Sequence, residues 1–276
     1  ASKWMKLNTV TTYSPNGNAL EEEIILGIKS AAKFGYDKLL PYLVAQNSDY
    51  QSVLFESFEN RYENNGSFFF EDGINNDPAD GIVDAAVSHS GNKSLRLKDQ
   101  DNGFDLLKLT ATDQLLSNGI LMKVWVKTDL PDPAVLDSNL KAQVRDAAGN
   151  NLITSVNFEK VALSGEWMLY QAKITDLSMH FGLNVNFRTY LKYEFTPAGT
   201  ENVWIDDVRM QPLDAQMTTF VYDLNTLRLI TSFDDQHFGL YHQYNGEGKL
   251  VRKLIETERG MKTVQETQYN TPLTNR

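Results

Sequence analysis

The sequence predicts an all-β fold, a sandwich or barrel with hairpin segments at both ends. Three observations predict it. The middle of the chain holds short runs that alternate and are rich in β-branched and aromatic residues, of which Leu121-Met122-Lys123-Val124-Trp125-Val126-Lys127 is the clearest. Clusters of Gly, Asn, Asp and Pro separate the runs, as in Asp129-Leu130-Pro131-Asp132-Pro133 and Ala147-Ala148-Gly149-Asn150. No long segment keeps a clean 3.6-residue apolar period.

Along the chain, residues 1–50 read as a mixed N-terminal segment. Within it, Ala19 to Phe34 fits either a helix, from Glu21-Glu22-Glu23 followed by Ile24, Ile25 and Ile28, or strands. Gly27 in its middle weakens the helix by about 1 kcal/mol. Residues 51–212 form the strand-rich body, with the polar stretch Asn60–Asp80 as an early long loop. Its strands are expected at Leu121–Lys127, Asn151–Phe158, Glu166–Ile174, Val185–Leu191 and Asn202–Met210.

Residues 213–276 change character and repeat internally. Phe220-Val221-Tyr222-Asp223 and His242-Gln243-Tyr244-Asn245 each open a strand, a tight turn and a basic-apolar strand, and their tyrosines lie 22 residues apart. Tyr13-Ser14-Pro15-Asn16-Gly17 is a fainter relative. A lone hairpin cannot bury its own face, so such units are expected to stack on further copies.

Composition bounds the function. The 276 residues include 26 Lys and Arg against 36 Asp and Glu, a net charge of −10, which argues against nucleic acid or an anionic membrane as the main partner. Apolar residues make up 41%, enough for a sizeable core, and none of their runs approaches the roughly 20 residues of a membrane helix. With no cysteine there are no disulfides, thiolate metal sites or thiol nucleophiles. The chain opens Ala1-Ser2-Lys3-Trp4 without an apolar signal core and closes on Thr271-Pro272-Leu273-Thr274-Asn275-Arg276, and it is read as a piece of a longer protein.

Two resemblances sharpen this reading. The Tyr222 and Tyr244 units resemble the tyrosine-aspartate (YD) repeats of rearrangement-hotspot-type bacterial proteins and toxin-encasing shells. The run from Tyr13 to Tyr50, with Gly17-Asn18, Phe34-Gly35-Tyr36 and Leu40-Pro41, is similar to sequence in large bacterial surface proteins of that type, which favours strands over Ala19–Phe34. The middle resembles a non-catalytic carbohydrate-binding jelly roll, on Phe55-Glu56-Ser57-Phe58-Glu59-Asn60, Ser88-His89-Ser90-Gly91-Asn92-Lys93-Ser94-Leu95-Arg96-Leu97, Val124-Trp125-Val126-Lys127, Trp167 and Val203-Trp204-Ile205-Asp206-Asp207-Val208. That resemblance implies two packed antiparallel sheets with the first and last strands adjacent.

The same resemblance implies a structural Ca²⁺ held by Glu59 and Asp206, with Asn92 and the carbonyls of Ser90-Gly91-Asn92-Lys93 completing the oxygens a hard cation wants. The plainer alternative has both carboxylates bonded to backbone amides. Strand alternation puts Asp207 on the opposite sheet face from Asp206. Sugar-binding sandwiches stack aromatic rings on pyranoses and bond hydroxyls with polar side chains, and Arg188, Tyr190 and Tyr193 on one late strand are the ligand-binding candidates. Trp125, Trp167 and Trp204 are expected in the core, and Phe68-Phe69-Phe70 as a loop that is either packed back on the body or exposed as an interaction surface and second ligand candidate.

Catalysis finds no support. Neither a Gly-x-Ser-x-Gly elbow nor a Gly-Lys-Ser/Thr phosphate loop is present, and Asp234-Asp235-Gln236-His237 reads as a solvated turn. The expected function is a non-enzymatic scaffold, adhesion or encapsulation module of a large secreted or surface-displayed bacterial protein. Its partners would be the remainder of the parent chain and a glycan or surface protein. Two alternatives stay open: a dedicated carbohydrate-binding module serving an enzyme elsewhere in the parent chain, and a cargo fragment held by a secretion machine.

Overall fold

The chain first lays down four antiparallel strands, β1 (Asn8–Tyr13), β2 (Ala19–Ile24), β3 (Lys29–Gly35) and β4 (Leu40–Gln46). In the computed structural model the described residues are 7–64, 67–70, 81–97, 103–194 and 202–269. The Ala19–Phe34 stretch is two strands, and Gly27 sits in the turn between them at φ +77°, a left-handed conformation that glycine adopts without steric cost.

The chain then leaves this sheet and builds a sandwich from β5 (Leu54–Glu56), β6 (Arg61–Asn64), β7 (Ser67–Phe70), β8 (Gly81–Asp84), β9 (Ser94–Leu97), β10 (Gly103–Thr110) and β11 (Ile120–Thr128). It continues with β12 (Leu140–Asp146), β13 (Leu152–Asn157), β14 (Glu159–Ser164), β15 (Trp167–Ile174), β16 (Asn186–Tyr193) and β17 (Val203–Pro212). Three short helices, α1 (Asp113–Asn118), α2 (Val135–Asn139) and α3 (Leu177–His180), fill connections. Afterwards it returns with β18 (Gln216–Tyr222), β19 (Leu229–Phe233), β20 (Gly239–Tyr244), β21 (Leu250–Thr257) and β22 (Gly260–Glu266).

The return strand β18 pairs antiparallel with β4, from Gln216 opposite Gln46 to Thr219 opposite Leu43. The result is one nine-stranded sheet in the order β1-β2-β3-β4-β18-β19-β20-β21-β22, drawn from both ends of the chain. Asn47 and Asp214 tie the neck of the insertion, Nδ2 to Oδ2 at 2.7 Å, and Gln114 bonds the Asn47 carbonyl at 2.6 Å.

The sandwich is a jelly roll of two sheets. One has the order β14-β15-β11-β17-β9-β8, with β5 also pairing β17, and the other has the order β10-β16-β12-β13. The first strand β5 and the last strand β17 are therefore adjacent, Val208 opposite Glu56 and Met210 opposite Leu54. Leu106, Val124, Val144, Tyr170, Phe187 and Ile205 are among the residues of the core between the two sheets.

Most sandwich strands bury one face, as the alternation of β16 shows, whereas β11 is buried through Val126 and β17 along its whole length. Their second face lies under the nine-stranded sheet. Trp125, Trp167 and Trp204 are buried, but in a separate cluster with Leu169 that packs against Phe238 of the β19–β20 turn, outside the sandwich core. The expected long loop Asn60–Asp80 is instead broken by the hairpin β6–β7, with Asn64 opposite Ser67. Asn65-Gly66, one of five Asn-Gly dipeptides in the sequence, is hairpin chemistry that outweighs the polar composition of the stretch. The Phe68-Phe69-Phe70 expectation concerns side chains outside the described ones; their backbone is strand β7.

The repeat has one geometry. In the β1–β2, β18–β19 and β20–β21 hairpins the residue before the tyrosine and the tyrosine itself pair with partners two apart: Thr12 with Glu21 and Tyr13 with Ala19, Val221 with Thr231 and Tyr222 with Leu229, Gln243 with Arg252 and Tyr244 with Leu250. The next residue caps the turn through its side chain. Asp223 Oδ1 accepts from the Asn225 and Thr226 amides, and Asn245 Oδ1 from those of Glu247 and Lys249. The tyrosine hydroxyls reach back to a carbonyl of an earlier strand or its end, Tyr222 to Pro41, Tyr244 to Leu229 and Tyr269 to Leu250, at 2.9–3.0 Å.

Candidate functional site

The two outer faces of the sandwich differ, and the difference starts in the strands. β11 and β17 carry Lys123, Asp206, Asp207 and Arg209 within otherwise apolar runs, and burial on both sides leaves each of these needing a partner. The nine-stranded sheet supplies several. Arg209 donates from Nη1 to the Asp234 carbonyl at 2.8 Å and from Nη2 to Thr219 Oγ1 at 3.1 Å. Lys123 donates to the Asp235 carbonyl at 3.1 Å, and Trp125 Nε1 to the His237 carbonyl at 3.0 Å. The Asp234-Asp235-Gln236-His237 turn is thus docked on the sandwich through its backbone, with His237 fully buried, rather than solvated as a whole. Burial holds the Lys123 ammonium down at about 8 and the Arg209 guanidinium down at about 10.

At the centre of this covered face stands His89. Its ring stacks on Trp125 with centroids 4.2 Å apart, and its two nitrogens lie 2.8 Å from Asp207 Oδ2 and 2.8 Å from Glu256 Oε1. Glu256 belongs to β21, so the imidazole joins the sandwich to the nine-stranded sheet. Burial alone would lower the His89 pKa, but the hydrogen bonds and charges of Asp207 and Glu256 raise it to about 9. Burial works to raise Glu256 too, and its bonds with His89 overcome that and hold it below the usual range.

Glu59 and Asp206 do come together on the loop 89–93. Glu59 Oε1 accepts from the amides of Asn92 and Lys93, both at 2.7 Å. Asp206 Oδ2 accepts from those of His89 at 2.8 Å and Ser90 at 3.3 Å. Gly91 is required here: its φ is +58°, and a Cβ would stand 2.3 Å from Glu59 Oε1. Asn92 has an exposed side chain and contributes an N–H donor rather than a side-chain oxygen.

Asp207 does not turn away from Asp206. It has φ +49°, lies at a bulge in the β11–β17 pairing, and accepts from Ser90 Oγ at 2.7 Å on the same loop that Asp206 holds. The bulge breaks the two-residue alternation on which the expectation rested. Among the described residues no three His, Cys, Asp or Glu side chains are grouped to hold a metal ion. Burial and the neighbouring Asp207 carboxylate push Asp206 well above its ordinary value, and burial pushes Glu59 up to about 7.

The other outer face, that of the four-stranded sheet, carries the sugar-site candidates. Arg188 and Tyr190 lie on it, half-exposed. Tyr193 is three residues beyond Tyr190, so alternation turns it inward, where it is fully buried beside Phe104, and it is not a surface ligand. Cross-strand register sets Asp105, Tyr190, Gln143 and Ser155 in one row. Arg188 is ion-paired with Asp105, and the Arg145 guanidinium lies 4.6 Å from the centre of the Tyr190 ring. Arg145 Nε and Asp105 Oδ1 are buried without a hydrogen-bond partner.

Of these residues, sequence reasoning named Arg188 and Tyr190 and missed Asp105, Gln143 and Arg145. Adjacency across strands, rather than along the chain, is what joins them. It also missed the partnership of His89 with Asp207 and Glu256, which lie 118 and 167 residues away.

No family model matches the chain, and no curated protein matches it. The structure is similar to the CBM22-1 xylan-binding domain from Paenibacillus barcinonensis Xyn10C, at 16% identity and a TM-score of 0.30, over 58% of this chain and 93% of that one. It is also similar to the C-terminal family 22 carbohydrate-binding module of Clostridium thermocellum Xyn10B, at 13% identity and a TM-score of 0.33, over 60% and 97%. A third similar structure is the beta-1,2-glucanase from Parabacteroides distasonis, at 10% identity and a TM-score of 0.35, over 75% of this chain and 36% of the enzyme. Likenesses of this size do not carry a function across.

Proposed function

We propose that the chain is a non-catalytic interaction module that holds a glycan on the open face of its four-stranded sheet. The observation that carries the reading is the contrast between the two faces. The tryptophan face is closed by the nine-stranded sheet. The opposite face presents the half-exposed Tyr190 among Asp105, Arg145 and Arg188. Carboxylate and guanidinium groups around one aromatic ring suit a polyhydroxylated ligand.

The nine-stranded sheet is then the scaffold. Among the described residues its outer strands β1 and β22 each have one paired neighbour, which suits continuation by tyrosine-turn hairpins of a longer secreted or surface protein of the YD type. Affinity electrophoresis against a broad panel of soluble polysaccharides tests the binding reading. At least one polymer is expected to retard the protein, with Tyr190→Ala weakening that retardation by about tenfold or more, a loss of roughly 1.4 kcal/mol. Retardation unchanged in Tyr190→Ala, or absent over the whole panel, would sink the reading.

We propose in addition a Ca²⁺ held by Glu59 and Asp206. Proximity supports it: Glu59 and Asp206 are both buried and converge on the backbone of loop 89–93. A divalent cation would compete there with the protons that burial favours on the two carboxyl groups. The expected result is a midpoint several degrees higher in excess Ca²⁺ than in EDTA at pH 7.5, and no difference in Glu59→Gln. Equal midpoints for the unaltered protein would leave both carboxylates to their amide donors.

A further inference from the structure

Three tyrosines of the repeat share one long-range bond. Tyr222 lies in β18, Tyr244 in β20 and Tyr269 just beyond β22. Each hydroxyl donates to a carbonyl of the neighbouring strand, at Pro41 of β4, Leu229 of β19 and Leu250 of β21. Those neighbours are all return strands of hairpins. Carried on to the tyrosines, the registers set Tyr222 opposite Leu40, Tyr244 opposite Arg228 and Tyr269 opposite Lys249. Every time, the hydroxyl reaches the carbonyl of the next residue.

Tyr13 is the fourth member. Its hairpin shows the same step in register, but β1 ends the sheet. Tyr13 is 61% exposed, and among the described residues its hydroxyl has no return strand to reach. The edge itself is unguarded. Asn8-Thr9-Val10-Thr11-Thr12-Tyr13 has neither charge nor proline, the devices that blunt exposed strands, whereas β22 at the opposite edge carries Lys262 and Glu266. The register step does not exclude a neighbour, because β18 and β20 carry it and are paired on both sides. At the far end of β1 a groove lies open, lined by Leu7, Asn8, Thr9, Glu23, Ile24 and Ile25. Leu7 and both isoleucines are exposed there.

Resting on the scaffold reading above, we infer that the β1 edge docks the return strand of a further tyrosine-turn hairpin of the longer protein, with Tyr13 Oη donating to that strand's backbone. Main-chain bonds to β1 would hold the strand, and the groove would select it. The accepting residues Pro41, Leu229 and Leu250 are each followed four positions later by an apolar residue: Ala45, Phe233 and Leu254. On β1 the same spacing brings that residue beside Asn8, at the groove. A second copy of this chain does not offer such a strand. Its free edges among the described residues, β1 and β22, both lead to a tyrosine.

The probe is a synthetic peptide of residues 239–257, the β20–β21 hairpin, titrated into the full chain to about 1 mM. Saturable binding is expected, with the β1 amides slowed at least tenfold in hydrogen exchange and no effect from a scrambled peptide. Tyr13→Phe is expected to weaken binding by about two- to tenfold, as loss of one hydrogen bond requires. The midpoint of the free variant is expected to be unchanged, because the hydroxyl is exposed.

Protection of β22 alone would overturn the inference and leave the scaffold reading standing, whereas protection of neither edge would overturn both. Equal affinity in Tyr13→Phe would overturn the tyrosine bond. Protection of β1 that grows with protein concentration, without peptide, would replace the hairpin by a second copy and overturn the choice of partner.

Discussion

Replacing His89 with glutamine is expected to destabilise the protein by about 3–5 kcal/mol at pH 7, because it strips the buried Asp207 and Glu256 carboxylates of their shared cation. The effect has a pH signature. The folded-state pKa of His89 is about 9, above the 6.5 of a free imidazole, so its contribution is complete below about pH 6.5 and is lost as the pH rises through 9. Glu59 acts with the same sign at lower pH. Its folded pKa of about 7 exceeds its free value, so the folded state holds the extra proton, and stability falls as the pH rises from about 4.5 to 7.

Lys123 and His237, whose pKa values burial lowers, act with the opposite sign in overlapping ranges, so each contribution is read as the difference between the unaltered protein and its variant in urea unfolding from pH 5 to 10. Glu59→Gln is expected to flatten the acidic limb and His89→Gln the alkaline one. A His89→Gln protein with the same alkaline slope as the unaltered protein would remove the imidazole from its central role.

Trp125→Ala is the second large effect. The indole is fully buried between the sandwich and the nine-stranded sheet, stacks on His89 and holds the His237 carbonyl. Truncation is expected to cost about 3–5 kcal/mol from the lost packing, with a further 1–3 kcal/mol for the stranded carbonyl if no water replaces the donor. Its location predicts more than a lower midpoint. Because Trp125 joins two sheets and takes no part in the sandwich core, the nine-stranded sheet should melt before the sandwich in the variant. Hydrogen exchange would show β18–β22 losing protection first. A single cooperative transition with uniform loss of protection would mean that the two bodies do not depend on this contact.

Much of the fold was legible in the sequence because its signals are local. Alternation and turn clusters marked β11, β15, β16 and β17, and the Tyr222 and Tyr244 units announced hairpins whose shared register the structure shows. What stayed hidden was non-local. Lys123 and Arg209 look like ordinary solvated residues until the β19–β20 turn is seen resting its carbonyls on them. Asp207 follows alternation on paper and breaks it at a bulge. Arg188 and Tyr190 were legible as exposed polar and aromatic residues on one strand, while Arg145, stacked on Tyr190 from the neighbouring strand, was not. Tyr193 was misplaced although a count of residues from Tyr190 already turns it inward.

The insertion also has a consequence for synthesis. Asn47 and Asp214, which close the neck, are 167 residues apart. At about 5–20 residues per second, a ribosome needs roughly 8–33 seconds to deliver β18 after β4 has emerged. Throughout that interval the four N-terminal strands form a sheet whose last strand faces the cell without its partner. Pro41 in β4 offers no amide hydrogen to an intruding strand, and the register shift between Lys33 and Phe34 in the β3–β4 pairing distorts the same end. The nascent edge is thus guarded at Leu40–Tyr42, beyond the residues that pair with β18, and it is open at Leu43–Gln46, where β18 pairs.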